Sequence, residues 1–358
     1  MNPNFDLSAL ALKAICPNNE ILYDDMGLPS IMVRIPKMTY AELGLGDSTA
    51  VFPAFIVNGS EVPEIYISKY QNCVYVNRAY SLPARAPQTS ITLDTAISRC
   101  TAKGAGWHLM TKLEHAALIL WCEKNGYMPI GNNNYGKHSS ESIYSAIPCT
   151  FESDGKRQKV LTGTGPLTWY HDKTPAGIAD LCGNVWEWMG GVRSVFGELQ
   201  VLANNNAADS SHAQTAASTE WKAINASTGE LVTPNGSGTT VGTVKMDFRS
   251  SKLTYTTSIT EATGQKSCTF GVITCDSGVG EAAQTLLKAI GMMPKASDVL
   301  AASHNCYWDA SQEERSFYCG GSCSYSAYGA ASFFGYYSRS YSDGSIGFRS
   351  AFVKLPAA

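Results

Sequence analysis

The sequence predicts an α+β protein in which the helices are segregated from a largely antiparallel sheet. Three observations carry this reading. Two segments have helix signals at both ends, many short apolar or alternating pieces read as strands, and long turn-rich stretches separate them. The chain has 358 residues, 44% hydrophobic and 16% charged. That is enough for one large or two ordinary domains with a sizeable core.

Residues 1–50 mix apolar patches with Pro and Gly and read as an arm or small subdomain. Strand-like pieces follow at 54–57 and 64–70. Thr92 is placed to cap a helix that stops at Gly104. Thr111 and Glu114 form a T-x-x-E capping box for a second helix, which ends at Gly126. Residues 127–180 are rich in turn signals. The stretch 203–300 is rich in Ala, Ser, Thr and Gly, with strand-like runs such as 252–260, and reads as an insertion with its own short strands. The expected architecture is therefore two helices with short, mostly antiparallel strands and long loops.

Bulk properties exclude several function classes. A net charge of −3 and a pI near 6.1 give no general attraction to nucleic acid or anionic membranes. No apolar run approaches the roughly 20 residues needed to span a bilayer, so no membrane insertion is expected. The N-terminus lacks a basic start and Lys13 breaks its short apolar stretch, so no signal peptide is read. The eleven cysteines are scattered and form no C-x-x-C pair, which fits reduced thiols acting as small hydrophobes.

Four segments in order carry a family pattern: GWHLMTKLEHAA at 106–117, GIADLCGNVWEW at 177–188, GGS at 320–322 and IGFR at 346–349. Trp186 and Trp188 alternate with Glu187 in a strand-like run, so both rings point to one side, and core packing is their plainest role. Gly183 allows a tight turn before them. The four segments resemble the formylglycine-generating-enzyme and sulfatase-modifying family. The resemblance implies a C-type-lectin-like fold over residues 51–354, apart from the 203–300 insertion. It also implies a structural calcium ion held by the side chains of Asp180 and Glu187 and the carbonyls of Gly183 and Val185. Such hard oxygen ligands suit calcium. The residues themselves leave another arrangement open, with Glu187 in a buried hydrogen-bonded pair and Asp180 capping a turn.

The chemistry of that enzyme family is not kept. Its paired cysteines fall here on Tyr325 and Ala330, which cannot supply a thiolate, while Cys319 and Cys323 stand in the wrong register. The six histidines, His108, His115, His138, His171, His212 and His304, form no H-x-x-x-H pair. No nucleophile elbow, phosphate loop or H-E-x-x-H motif occurs. Neither enzymatic activity nor an organic cofactor is expected.

The tail is the most unusual segment. Residues 316–348 contain nine Ser, six Tyr and six Gly, so a third of the eighteen tyrosines sit in under a tenth of the chain. That mixture resembles an antibody paratope, in which Tyr gives contact area at low entropic cost and Ser and Gly give adaptability. Lys, Glu, Gln, Met and Trp are absent from it. These are the residue types that no pyrimidine-ending codon encodes, as replacement of adenines in Asn codons would leave.

The spacing from GGS to the terminal IGFR resembles the variable proteins of diversity-generating retroelements, whose C-terminal face is rewritten by adenine-directed mutagenesis. The resemblance implies a binding face at about 306–350. The diversified positions would be Tyr318, Cys319, Ser322, Cys323, Ser324, Tyr325, Tyr328, Tyr336, Tyr337, Ser338, Tyr341, Asp343 and Ser345. Gly320, Gly321, Arg339, Ile346, Gly347, Phe348 and Arg349 would be framework. The implied protein is a homotrimer at a phage tail tip, with other virion tail proteins as neighbours and a host cell-surface protein or glycan as ligand. A bacterial cell-surface location is the second choice. The rival readings are a fixed-site lectin-like carbohydrate-binding or structural module, and a formylglycine-type oxidase or an inactive relative.

Overall fold

A computed structural model describes residues 7–296 and 304–356. Residues 1–6 of the expected arm and 297–300 of the expected insertion lie outside them. The chain is mixed α+β, with few helices and many strands.

The N-terminal segment is built into a sheet. Strands Asn19–Tyr23 and Pro29–Pro36 pair antiparallel, and the second pairs with Glu64–Ser68. Ser350–Phe352, from the other end of the chain, lies between Glu64–Ser68 and Trp107–Leu109. Val33, Ile35, Ile65, Ile67 and Ala351 are buried in one apolar cluster, so strands from both ends of the described chain close one core. Of the strand expected at 54–57, only Ile56–Val57 is extended; Pro53 opens a 3-10 turn over Pro53–Phe55.

Four α-helices are present among the described residues: α1 (Leu7–Ile15), α2 (Leu93–Thr101), α3 (Lys112–Lys124) and α4 (Glu281–Ala289). Two were expected from sequence, and both form where their caps place them. The Thr92 side chain accepts from the Thr95 N–H, and Thr111 with Glu114 makes both bonds of the capping box. Helix α4 escapes notice because Gly280 precedes it without a side-chain cap and its alanines match the composition around it. Ala283 and Leu287, four apart, bury its inner stripe.

The larger sheet runs, in spatial order, Lys266–Thr269, Asn305–Trp308, Phe333–Gly335, Arg315–Cys319, Trp186–Val195, Glu198–Val201, Lys245–Arg249, Lys252–Thr256 and Thr274–Cys275. Strands from 203–300 therefore form both of its edges. Val244, Met246, Leu253, Tyr255, Phe270 and Ile273 of the same stretch share one apolar cluster with Phe55, Leu118 and Phe317. The central strand, Trp186–Val195, pairs with Arg315–Cys319 so that Trp188 faces Tyr318 and Glu187 faces Cys319. Ile346–Gly347 runs parallel to its first two residues.

Candidate ligand-binding face and the frame beneath it

Alternation along the central strand sends Trp186 and Trp188 to one side and Glu187 to the other. On the tryptophan side an aromatic series rises from the core to the surface. The Tyr318 ring sits between the two indoles, with centroids 5.2 and 5.0 Å away. It stacks on Phe334 at 5.1 Å, Phe334 stacks on Tyr337 at 5.6 Å, and Tyr337 stacks on Tyr341 at 3.7 Å. Tyr336 stands edge-on to Tyr337 at 4.9 Å. A second branch runs from Trp186 to Tyr328 at 4.6 Å and on to Tyr325 at 4.7 Å. Tyr307 joins the branches, stacked on Phe334 at 4.7 Å.

Exposure grows along both branches. Tyr318 is buried, Tyr328, Tyr336, Tyr337 and Tyr341 are half-buried, and Tyr325 is 45% exposed. Burial raises the Tyr318 and Tyr328 phenols above their ordinary range and takes Tyr341 up to about 12. These three stay neutral at physiological pH.

Four of the thirteen expected positions are corrected. Tyr318, Cys319, Ser322 and Cys323 are buried and cannot meet a ligand. Tyr318 is packed among Trp186, Trp188 and Phe334, Cys319 on the opposite face of the strand lies in the main apolar cluster, and Cys323 is drawn inward by its N–H bond to the Asn184 carbonyl, 3.2 Å. Burial raises the Cys319 thiol and pushes Cys323 up to about 12, so neither is a thiolate. Ser324 is exposed and Ser338 is half-buried beside the rings. Asp343 is exposed and Ser345 half-buried, but the Asp343 carboxylate accepts from the Ser345 N–H at 2.8 Å and its hydroxyl at 2.6 Å, so their polar groups hold a turn.

The tail is fastened along its length. The Arg339 guanidinium donates to Glu314 at 2.8 Å, Asp94 at 2.6 Å and the Gln214 carbonyl at 2.7 Å. The Asn133 amide donates to the Ser326 and Tyr328 carbonyls at 3.1 and 3.0 Å. Gly320 and Gly321 have φ of +92° and +84°, and a Cβ on Gly321 would lie 2.4 Å from the Tyr328 Cβ. Glycine is required there for the chain to turn under the Tyr328 ring.

On the Glu187 side lies a buried polar frame. Arg349, fully buried, pairs with Glu187 through two bonds of 2.9 and 2.8 Å. It also donates to the Ser68 carbonyl at 2.7 Å and the Ala179 carbonyl at 2.9 Å. The expected calcium ligands are brought together here, with one change: the Asp180 backbone carbonyl, not its carboxylate, joins Gly183 O, Val185 O and Glu187 Oε1. At their common point stands the Gln71 Nε2, 3.2, 3.2, 3.1 and 3.1 Å from the four oxygens. The Asp180 carboxylate accepts instead from the Gly163 N–H at 2.8 Å, and burial takes its pKa up to about 6. These residues do not fit calcium. The ion would need about six to eight oxygens at roughly 2.3–2.6 Å, its position is filled by an amide, and the one carboxylate facing it is already paired with Arg349. Among the described residues, no group of three or more His, Cys, Asp or Glu could hold a metal ion, and no helix is long and apolar enough to cross a membrane.

Sequence reasoning missed Gln71, Tyr307 and Phe334. Gln71 stands in no motif. Phe334 could have been found, since its pairing opposite Tyr318 puts both rings on one face.

No protein-family model and no curated protein matches the chain. Seven solved chains match in structure. PvdO from Pseudomonas aeruginosa is 11% identical, with a TM-score of 0.33, covering 94% of this chain and 98% of its own. Treponema denticola variable protein 1 is 10% identical, with a TM-score of 0.35 and coverage of 94% and 99%. The P3c variant of Major Tropism Determinant is 12% identical, with a TM-score of 0.30 and coverage of 94% and 71%. Likeness this distant does not assign a function.

Proposed function

We propose that the chain is a ligand-binding display protein of C-type-lectin-like, formylglycine-generating-enzyme-like fold, without enzymatic activity. Its face at 306–350 is diversified by adenine-directed mutagenesis. It serves phage adsorption at a tail tip, as a trimer among other tail proteins, and its ligand is a host surface protein or glycan. One observation carries this reading: the Phe334–Tyr337–Tyr341 stack, with centroids 5.6 and 3.7 Å apart, ends in half-exposed rings on a buried base. Rings already ordered before contact lose little entropy on association. Neighbouring Ser324, Ser326, Ser340 and Ser342 are exposed and short, so they leave the rings accessible. The position that would carry a second catalytic cysteine is Ala330, fully buried, which leaves an oxidase without its nucleophile.

The test is binding of the purified chain to host cells. Tyr325→Ala, Tyr337→Ala and Tyr341→Ala should each weaken binding about 30-fold, the effect of an interface hot spot of about 2 kcal/mol. Their cost to folding should stay near 1 kcal/mol or less. Wild-type binding by all three variants would end the reading. Diversification is tested separately, by sequencing around the gene for a reverse transcriptase and a near-copy of the 306–350 coding region that differs at adenines.

A further inference from the structure

We propose that the Gln71 amide does in this chain the structural work of a divalent cation, closing a cage that holds the floor of the tail. Three carbonyls and a carboxylate oxygen converge on the Gln71 Nε2 at 3.1–3.2 Å. An amide nitrogen has two protons, so four acceptors around it exceed what its hydrogen bonds can satisfy. Oxygens gathered on one point in this way repel one another unless a donor stands between them.

The orientation of the amide is fixed by its other end. Gln71 Oε1 accepts from the Asn184 Nδ2 at 2.9 Å. Asn184 is itself held, because its Oδ1 accepts from the Val160 N–H at 2.9 Å. A flipped amide would turn its oxygen toward four oxygens and its nitrogen toward another NH₂ group. Charge agrees with geometry. Arg349 neutralises Glu187 with two bonds, so a dication in the cage would meet a guanidinium with no unpaired carboxylate to offset it. A neutral donor avoids that repulsion.

The cage bears on the tail directly. The Gly183 N–H donates to the Gly320 carbonyl at 2.7 Å, and the Asn184 carbonyl accepts from Cys323. Gln71 is thus a positioning residue, and the fold needs no metal to hold this loop.

Elemental analysis and thermal unfolding test the proposal without any ligand. The wild-type protein, passed through metal-free buffer, should hold no calcium, and its Tm should be the same in excess chelator and in excess calcium chloride. Gln71→Ala leaves the oxygens without a donor, and its Tm should fall by at least about 3 °C. Added calcium should not recover that loss, because Arg349 already balances Glu187 and the four oxygens fall short of the shell the ion needs. If the variant does not fold in either buffer, the wild-type calcium content and melting curves still decide the point. Stoichiometric calcium in the wild type, or a lower wild-type Tm in chelator, would overturn the proposal. So would a Gln71→Ala Tm equal to wild type, or a loss that calcium repairs, since the cage would then admit the ion.

Discussion

Trp186, Glu187 and Trp188 serve two sides of one strand, and what was legible in them was the alternation. Their sequence showed the rings on one side and the carboxylate on the other. It did not show that Arg349, 162 positions away, would take the carboxylate. The tail is similar. Its Tyr, Ser and Gly content marked a surface, yet composition does not tell a ring that faces out from one that faces in, so Tyr318 looked like its neighbours. Burial also decides which histidines respond to acid. His304 accepts from the Ala331 N–H at 3.2 Å, and burial pushes its pKa down to about 4. In the unfolded chain a histidine takes its proton near 6.5. Because the folded value is the lower one, the unfolded state gains the proton first, and stability falls as pH drops from about 6.5 to about 4. The full loss from this one group is about 3 kcal/mol. His304→Gln should flatten that part of the stability curve, measured by urea unfolding at pH values between 7 and 4. Parallel curves for the two proteins would show that His304 does not carry the effect.

At the scale of elements, signals that reside in neighbouring residues were readable, and those that depend on partners far along the chain were not. Both capped helices form where Thr92 and Thr111 place them, whereas α4 has a glycine before it and lies in a stretch whose composition reads as an insertion with short strands. The cap of α3 does more than start a helix. The Thr111 hydroxyl accepts from the Glu114 N–H at 3.2 Å and donates to Asn205 Oδ1 at 2.7 Å. Glu114 in turn accepts from His108 at 2.8 Å and Asn205 at 2.9 Å. Removing the hydroxyl leaves two buried groups short of a partner, so Thr111→Ala should cost about 2 kcal/mol, the upper end for a lost cap. Urea unfolding monitored by circular dichroism checks this. A cost near zero would mean that water or Asn205 replaces the hydroxyl.

Across the whole molecule, the general α+β character was legible, while the way the pieces join was not. The 203–300 stretch looked like an insertion because its composition changes. In the structure its strands form both edges of the larger sheet, since pairing depends on backbone and register more than on residue type. The two sheets meet at Arg349. Its side chain bonds Glu187 in one sheet, Ser68 in the other and Ala179 in the loop between them, and it is fully buried. A buried pair of this kind need not stabilise relative to an apolar core, but breaking it strands a charge. Arg349→Met should therefore destabilise by about 3–5 kcal/mol. Arg349→Lys should recover little, because a single ammonium cannot reproduce the forked bonds to Glu187 together with the two carbonyl contacts. Folding free energies from denaturant titration decide the point. If Arg349→Met unfolds within about 1 kcal/mol of wild type, Glu187 finds its charge balance elsewhere and the two sheets are held by apolar packing alone.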